Sequence, residues 1–281
     1  MSHDEQVAAE QAARWNGPSG RAWADNQDLL DRLYEPFEKL LVRYVDDASG
    51  QQVLDVGCGT GSTTLAVGRV SGGRAVGVDI SEPMIAVARR RASSADVSAD
   101  FVTADMQTHE FTDTRFDTIV SRFGVMFFSD PVAAFRNLHR ATTGSGNLRM
   151  IVWRNPDDRD IMVAAENATA SLLPDLPPRP PSVPATPGQF AFADPDLVSP
   201  IFRESGWRDV SIDPLDVDLS MPAGDMLRYV TTFGRVGVQL PTVDETVRAQ
   251  VIERVSETFT GFADGADVRY TAACWLVSAQ A

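Results

Sequence analysis

Residues 53–70, VLDVGCGTGSTTLAVGRV, run from a short apolar segment through three closely spaced glycines into a helical pattern. Glycine at a strand-to-helix turn permits a positive φ and lets a ligand approach the backbone. The dinucleotide fingerprint G-x-G-x-x-G places its third glycine three residues after the second, whereas Gly61 follows Gly59 by two. A Walker loop would require a Gly-Lys-Ser/Thr step, and none follows. The spacing therefore argues against a nicotinamide or flavin dinucleotide and, more firmly, against a phosphate-binding loop.

Strands and helices alternate on both sides of the glycine turn. Predicted strands span residues 51–56, 74–79, 100–104, 116–122 and 148–153, and predicted helices span 62–70, 82–91 and 131–142. Short apolar strands separated by helices of about ten residues predict a parallel sheet covered on both faces. Two further strands at 208–220 and 268–280 bring the expected number to seven.

The regions outside this core predict a cap and a lid. Residues 1–48 repeat apolar side chains at helical spacing and predict an N-terminal helical cap, with a turn between two helices at WNGPSGRAW, residues 15–23. Residues 155–190 contain a proline-rich run and predict a lid insertion. We expect one domain over 1–281, with a cofactor-binding core at 49–154, a C-terminal half of the sheet at 191–281 and a helical insert at 222–262.

Composition limits the partners and the location. The chain has 281 residues and a formal charge of −14, from 39 acidic and 25 basic residues. A surface this acidic disfavours nucleic acid and anionic membrane as partners. Cys58 and Cys274 match no metal or redox spacing, so no metal is expected. The N-terminal sequence lacks the basic and apolar regions of a signal peptide, and no apolar run is long enough to span a membrane. We therefore expect a cytoplasmic protein.

The residues that follow each predicted strand indicate a nucleoside-like ligand. Asp79 ends the second strand, where a carboxylate can accept hydrogen bonds from both hydroxyls of a ribose. Asp105 and Met106 follow the third strand, an acid beside a thioether that suits an adenine. The glycine loop contains no lysine or arginine to neutralise a phosphate. These features fit a phosphate-free ligand that can carry positive charge, such as S-adenosylmethionine.

Four stretches in this order, VLDVGCGTGSTT, AVGVDIS, ADM and FDTIVSRFGVMFFSDP, resemble the class I S-adenosylmethionine-dependent methyltransferases. More narrowly, they are similar to the bacterial small-molecule group around the ubiquinone/menaquinone-biosynthesis methyltransferases, and WNGPSGRAW and PGQFAFADPD resemble features of one branch of it. The resemblance implies an α/β, Rossmann-like, doubly wound seven-stranded sheet, mostly parallel with an antiparallel C-terminal strand. It also implies S-adenosyl-L-methionine as cofactor, S-adenosyl-L-homocysteine as product and a small-molecule methyl acceptor.

The resemblance assigns parts of the cofactor to particular residues. The methionine part is expected at Asp55, Gly57, Cys58, Gly59 and Gly61, with Ser121 and Phe123 beneath it. The ribose is expected at Asp79, the adenosine beside Ile80 and Met84, and the adenine at Asp105 and Met106. Trp15, Asn16 and Trp23 are expected to close over the cofactor from the cap.

No residue is singled out as catalytic. Methyl transfer from a sulfonium chiefly requires alignment and exclusion of water, and His109 and His139 lie in a polar loop and on a helix flank. Five phenylalanines fit either the core or an acceptor pocket: Phe123, Phe127, Phe128, Phe190 and Phe192. Two other functions stay open, a nicotinamide-dependent oxidoreductase and a non-catalytic S-adenosylmethionine-binding protein. An RNA or protein acceptor is disfavoured by the charge, and the protein is expected to be a monomer or homodimer.

Overall fold

The computed structural model describes residues 3–45, 50–95, 97–112, 115–159, 161–184 and 186–281. The first two residues of the expected cap and its boundary with the core at residues 48 and 49 lie outside the described residues. The strands are β1 Gln52–Val56, β2 Arg74–Asp79, β3 Ala99–Thr103, β4 Phe116–Arg122, β5 Thr142–Trp153, β6 Arg208–Pro222, β7 Ala263–Asp264 and β8 Asp267–Gln280. The α-helices are α1 His3–Asn16, α2 Pro18–Asp25, α3 Gln27–Val42, α4 Ser62–Val70, α5 Glu82–Ser94, α6 Pro131–Ala141, α7 Ile161–Thr169, α8 Pro195–Glu204, α9 Ala223–Thr232, α10 Gly234–Gln239 and α11 Glu245–Thr260.

The strands form one sheet in the order β3-β2-β1-β4-β5-β8-β6, and the two-residue β7 pairs with β8. Neighbours among β1 to β5 are parallel, while β8 is antiparallel to both β5 and β6. The expected mostly parallel, doubly wound sheet with an antiparallel C-terminal strand is confirmed. The short β7 makes eight strands where the sequence predicts seven.

The direction of winding reverses between β1 and β4. From β1 the chain passes to β2 and then to β3, whereas β4 leads to β5 on the opposite side. Right-handed crossovers therefore place α4 and α5 on one face of the sheet and α6 on the other. After β1 and after β4 the chain continues to helices on opposite faces of the sheet, and open parallel sheets bind ligands at such a switch point.

The N-terminal cap contains three helices, so the expected single turn between two helices is wrong in detail. Gly17 separates α1 from α2, which begins at Pro18, and Asn26 separates α2 from α3. Proline fits the first turn because its missing N–H has no partner there and its φ is already helical. The long α3 buries an apolar stripe that includes Leu33, Phe37 and Leu41, as its spacing predicts.

Two differences from the predicted bounds lengthen the second half of the sheet. β5 begins at Thr142, directly after α6, because the segment before its apolar run pairs with Phe116 across an irregular register. β6 continues to Pro222, where it pairs with Asp267, and the helices α9 to α11 lie between β6 and β8. No helix in the described ranges is both long and apolar enough to span a bilayer.

Candidate active site

A cavity of about 320 Å³ lies at the carboxyl ends of the strands. Its first side, which we call the strand-end wall, is formed by residues 57–60, 79–80 and 104–107, which follow β1, β2 and β3. The opposite side, which we call the tyrosine wall, includes Tyr34, Arg122, Met226, Tyr229, Phe233 and Tyr270. The first wall comes from the predicted core, and the second joins α3, β4, α9 and β8.

The glycine loop brings two stretches of backbone into direct contact. Gly57 has a φ of 68°, and a Cβ on it would lie 2.5 Å from the Cα of Gly124. The amides of Gly57 and Cys58 donate to the carbonyl of Val78 at 2.8 and 3.1 Å, which fastens the loop to β2. Gly59 has a φ of 55° with only the Met84 sulfur, at 3.7 Å, near its missing Cβ. The direction of the missing Cβ is therefore open at Gly59, whereas at Gly57 it is filled by the backbone of Gly124.

Asp79 is held by backbone amides on both oxygens. Gly59 N–H donates to Oδ2 at 2.8 Å, and Ser81 N–H donates to Oδ1 at 2.9 Å. Burial raises the pKa of this carboxyl, and the amide hydrogen bonds oppose that rise. Each carboxylate oxygen can accept more than one hydrogen bond, so Asp79 retains capacity for donors from the cavity.

The loop after β3 is tied to the loop after β4 through a glutamine. Asp105 Oδ1 accepts from the backbone N–H of Gln107 at 2.8 Å, and the side-chain Oε1 of Gln107 accepts from the backbone N–H of Asp130 at 2.6 Å. Gln107 also bonds to Ser129 at 3.0 Å. Asp105 and Met106 therefore have fixed positions in the cavity lining, as the sequence predicts.

Phe123 adopts a backbone conformation that residues with side chains rarely take. Its φ is 63°, and its ring stacks on Trp153 with centroids 4.4 Å apart and planes within 5°. Ser121 Oγ donates to the Val56 carbonyl at 2.7 Å and accepts from the Gly124 amide at 3.3 Å. These contacts hold a strained turn against β1, and strain of this kind clusters at functional sites.

The cap is fastened to the loop after β2 at the end of α1. Asn16 Nδ2 donates to the Ile80 carbonyl at 3.0 Å, and its Oδ1 accepts from the Glu82 amide at 2.9 Å. Ser81 Oγ donates to the Trp15 carbonyl at 2.7 Å. The Trp15 ring meets Phe127 edge to face at 5.0 Å, which brings α1 across the cavity.

Most of the residues expected to hold the cofactor line this single cavity: Trp15, Trp23, Gly57, Cys58, Gly59, Asp79, Ile80, Met84, Asp105, Met106 and Phe123. Asp55, Gly61 and Ser121 instead lie behind its lining. Gly61 precedes α4 with a φ of 84°, and a Cβ there would lie 2.7 Å from the Phe101 ring. Contact of each of these residues with a cofactor remains a prediction.

Asp55 is a buried carboxyl beneath the glycine loop. Thr64 Oγ1 donates to its Oδ2 at 2.7 Å. Burial raises the pKa of Asp55 to about 6, an effect strengthened by the charges of Asp79 and Glu38 and opposed by Thr64 and Arg122. Its position fits support of the loop through α4.

Sequence reasoning placed Arg122 at the carboxyl edge of the sheet but missed the three tyrosines of the tyrosine wall. Tyr34 belongs to the apolar stripe of α3, whose helical period indicates core packing, yet its hydroxyl lies 3.0 Å from that of Tyr229. Tyr229 and Tyr270 lie far along the chain, and no local motif marks them. Of the five undecided phenylalanines, Phe123, Phe127 and Phe128 line the cavity. Phe192 is buried, and Phe190 lies beneath Arg179 at 5.7 Å.

Among the side chains that the structure describes, no cysteine or histidine supplies a reactive group at the cavity. Cys58 lines it, but burial raises the pKa of its thiol well above the ordinary value. Cys274 is buried in β8, where burial also raises the pKa of the thiol. Neither His109 nor His139 belongs to the lining, and their rings pack against Phe111 and Trp207.

Part of the chain, including most of the strand-end wall, is similar to known methyltransferases. Residues 53–146 match the family model described as a methyltransferase domain. An uncharacterised protein of Mycobacterium tuberculosis is 28% identical over 176 residues, which are 62% of this chain and 62% of that protein. The demethylmenaquinone methyltransferase of Thermus thermophilus is 30% identical over 139 residues, 47% of this chain and 63% of that protein. This chain spans less than two thirds of the length of these relatives.

Solved structures share the fold. The YcgJ protein of Bacillus subtilis superposes with a TM-score of 0.55 at 18% identity, covering 86% of this chain and 97% of that one. Phosphoethanolamine N-methyltransferase 2 of Haemonchus contortus was solved with phosphomonomethylethanolamine and S-adenosylhomocysteine. It gives a TM-score of 0.51 at 16% identity, covering 99% of this chain and 57% of that one. At these identities the likeness is one of fold.

Proposed function

We propose that this chain, whose residues 53–146 match a methyltransferase domain, is a class I S-adenosylmethionine-dependent methyltransferase that transfers a methyl group from that cofactor to a small-molecule acceptor. One observation carries the proposal. The glycine loop, Asp79 and the Asp105-Met106 pair, which follow three different strands, face one cavity that also has an aromatic and apolar opposite wall. A cofactor on the strand-end wall would therefore meet an acceptor on the tyrosine wall.

The strand-end wall fits the chemistry of this cofactor. The space in front of Gly59 admits a ligand close to the backbone, and Asp79 retains acceptor capacity for ribose hydroxyls. Met106 is buried beside Asp105, an apolar surface next to a hydrogen-bond acceptor, which suits an adenine ring. Residues 57–60 contain no basic side chain, in keeping with a ligand that has no phosphate.

The protein's part in the reaction is to position the acceptor and exclude water. Bound at the strand-end wall, the cofactor supplies a methyl group activated by its positively charged sulfur. Trp15 and Trp23 cover the cavity from the cap, and Phe123 and Trp153 form a stacked floor. Alignment in a site shielded from water accounts for a rate enhancement without a nucleophile on the enzyme. A general base is required only for an acceptor that must lose a proton.

Calorimetric titration with S-adenosylmethionine, S-adenosylhomocysteine and NAD tests the cofactor. We expect both adenosyl compounds to bind and NAD not to bind. Binding of NAD alone would instead support the oxidoreductase. Methyl transfer from labelled cofactor to a panel of small metabolites then separates an enzyme from a non-catalytic binding protein.

The variant Asp79→Ala tests the position of the ribose. Loss of charge-assisted hydrogen bonds from two hydroxyls should weaken S-adenosylhomocysteine binding by about 100-fold or more. Asp213→Ala, at an exposed position on β6, is the matched control and should bind normally. Equal binding by both variants, each shown to be folded by circular dichroism, would place the ribose elsewhere.

The proposal extends to the whole chain. We take residues 1–281 as one domain, supported by the joining of β6 and β8 to the sheet that holds the glycine loop. The net charge of −14 supports a small-molecule acceptor rather than a nucleic acid. Two buried free cysteines support a reducing, cytoplasmic location. A monomer or homodimer is the expected state, which light scattering can measure.

A further inference from the structure

The tyrosine wall carries a cation that pairs with no carboxylate of the cavity lining, although its charge also acts on the Asp55 carboxyl beneath the glycine loop. Arg122 lies at the end of β4, and its Nη1 donates to the Tyr34 carbonyl at 3.3 Å. Its guanidinium carbon lies 5.4 Å from the centre of the Tyr34 ring. Among the described residues, the Arg122 side chain forms no ion pair, and this is its one hydrogen bond. Most of its five donors therefore remain for a ligand in the cavity.

The paired tyrosines beside Arg122 add another donor. The Tyr34 and Tyr229 hydroxyls lie 3.0 Å apart, so one donates to the other and the second hydroxyl keeps its own hydrogen. Burial raises the pKa of Tyr34, Tyr229 and Tyr270, which keeps all three hydroxyls protonated. These side chains can therefore donate hydrogen bonds but are unsuited to act as bases.

Every carboxylate in the lining already has donors of its own. Asp31 pairs with Arg91 at 2.6 Å. Glu166 pairs with Arg179 at 2.7 Å and with Arg235. The other two lining carboxylates, Asp79 and Asp105, accept from backbone amides, as described above. No histidine of the described ranges lines the cavity, so this side of the site lacks an evident general base.

We infer, on the premise of the proposed function, that the methyl acceptor is an oxyanion on an apolar body, held by Arg122 and the Tyr34–Tyr229 pair. Ionised phenols, enols and carboxylic acids share this chemistry. The acceptor binds already ionised, because this side of the site has no base that could remove its proton. Its oxygen lone pair forms a bond to the methyl carbon while the carbon–sulfur bond breaks and that electron pair stays on sulfur. The products are a neutral ether or ester and a neutral thioether.

The apolar lining suits this pairing of charges. An anion and a sulfonium attract each other far more strongly in a low-dielectric cavity than in water, and both charges disappear as the bond forms. An isolated anion would bind such a cavity poorly, because burial of a charge is costly without partners. Arg122 and the spare tyrosine hydrogen provide those partners.

Binding of 4-nitrophenol in the presence of S-adenosylhomocysteine tests the inference without methyl transfer. This probe absorbs visible light only as the phenolate, so its spectrum reports its protonation state on the protein. A 100-fold preference for the anion would lower the pKa of the bound probe by about 2. The amine 4-nitroaniline, of the same shape, should bind at least about 10-fold more weakly.

Variants assign the effect to the named residues. Arg122→Gln should weaken phenolate binding by about 10- to 100-fold and abolish the spectral change, while Arg90→Gln, at an exposed arginine of α5, should change neither. Tyr229→Phe, which removes one oxygen, should weaken phenolate binding by about 10-fold. This variant tests the inference if Arg122→Gln fails to fold. S-adenosylhomocysteine binding should be retained in each variant.

Several outcomes would overturn the inference. A wild-type protein that binds the probe as neutral phenol, or prefers 4-nitroaniline, would show that the cavity does not select an anion. Loss of S-adenosylhomocysteine and phenolate binding by the same factor in Arg122→Gln would assign the arginine to the cofactor. Failure of the wild type to bind S-adenosylhomocysteine at all would instead refute the proposed function, so the two failures are distinguishable.

Discussion

Replacing Asp55 by asparagine tests the electrostatic consequence of a carboxyl buried beneath the glycine loop. The side chain is 1% exposed, and burial raises its pKa to about 6 from an ordinary 3.8. The difference of about 2.2 corresponds to ~3 kcal/mol that favours the protonated form in the folded state. A raised carboxyl pKa means that this contribution is complete below about pH 4 and is lost as the pH rises through about 6. Asparagine does not titrate, so the variant lacks this loss.

The unfolding free energy of Asp55→Asn relative to wild type should therefore rise with pH. Of the ~3 kcal/mol, linkage predicts that the difference in unfolding free energy rises by about 2 kcal/mol between about pH 4.5 and about pH 7.5. Any fixed penalty from fitting the amide beside Thr64 shifts the whole curve without changing its slope, because an amide does not titrate in this range. The sign and size of the slope thus isolate the charge.

Urea unfolding at a series of pH values, with m-values compared between proteins, is the assay. Asp213→Asn, at an exposed position on β6, is the control and should show a flat difference from wild type. A flat difference for Asp55→Asn as well would refute the reasoning, since it would mean that folding leaves the Asp55 pKa unchanged. The unfolding measurements should be made on protein free of cofactor, because a bound sulfonium cation would stabilise the Asp55 carboxylate.

Two further substitutions probe the backbone contact and the cap. Gly57→Ala should destabilise the protein by about 2 to 4 kcal/mol in urea unfolding, because its Cβ would overlap the Cα of Gly124 at 2.5 Å. Gly265 has a similar φ of 65°, and an added Cβ there would have nothing within 4 Å, so Gly265→Ala should lower the unfolding free energy by only about 1 to 2 kcal/mol. Equal losses in the two variants would show that the overlap with Gly124 has no effect on stability. Asn16→Ala breaks two of the three hydrogen bonds described between α1 and the segment after β2, leaving that of Ser81 to Trp15, and should weaken S-adenosylhomocysteine binding by about 10-fold, measured by calorimetry. Gln6→Ala, exposed on the same helix, should bind normally, and an unchanged Asn16→Ala would show that α1 does not help to hold the cofactor.

The strand-end half of the site could be predicted because its signals are local. The glycine turn begins directly after β1, Asp79 is the last residue of β2, and the Asp105-Met106 pair follows β3 after Ala104. Parallel strands bring their carboxyl ends to one edge of the sheet. Alternation of strands and helices then gives the order of winding. The same logic explains why predicted and observed bounds of β2, β4 and α4 coincide.

The tyrosine wall could not be predicted, because it is assembled from distant segments. Tyr34 and Tyr229 are 195 residues apart, and each belongs to a helix whose period indicates only packing. Asp55 and Ser121 carry the family motif but face away from the cavity, which the motif spacing does not distinguish. Side-chain direction at a strand end depends on neighbouring loops, and these are set by tertiary contacts.

The connection between β6 and β8 has a consequence for how this fold can vary. The helices α9 to α11 leave the sheet at Pro222 and return at Asp267, which are paired neighbours in the register, and the Ala223 amide donates to the Ala266 carbonyl at 3.0 Å. The entropy of closing a loop grows only slowly with its length, so the paired strands tolerate an exchange of everything between them. This exchangeable cassette supplies Met226, Tyr229 and Phe233 and none of the glycine loop. Evolution or design can therefore alter the tyrosine wall while the strand-end wall keeps its shape.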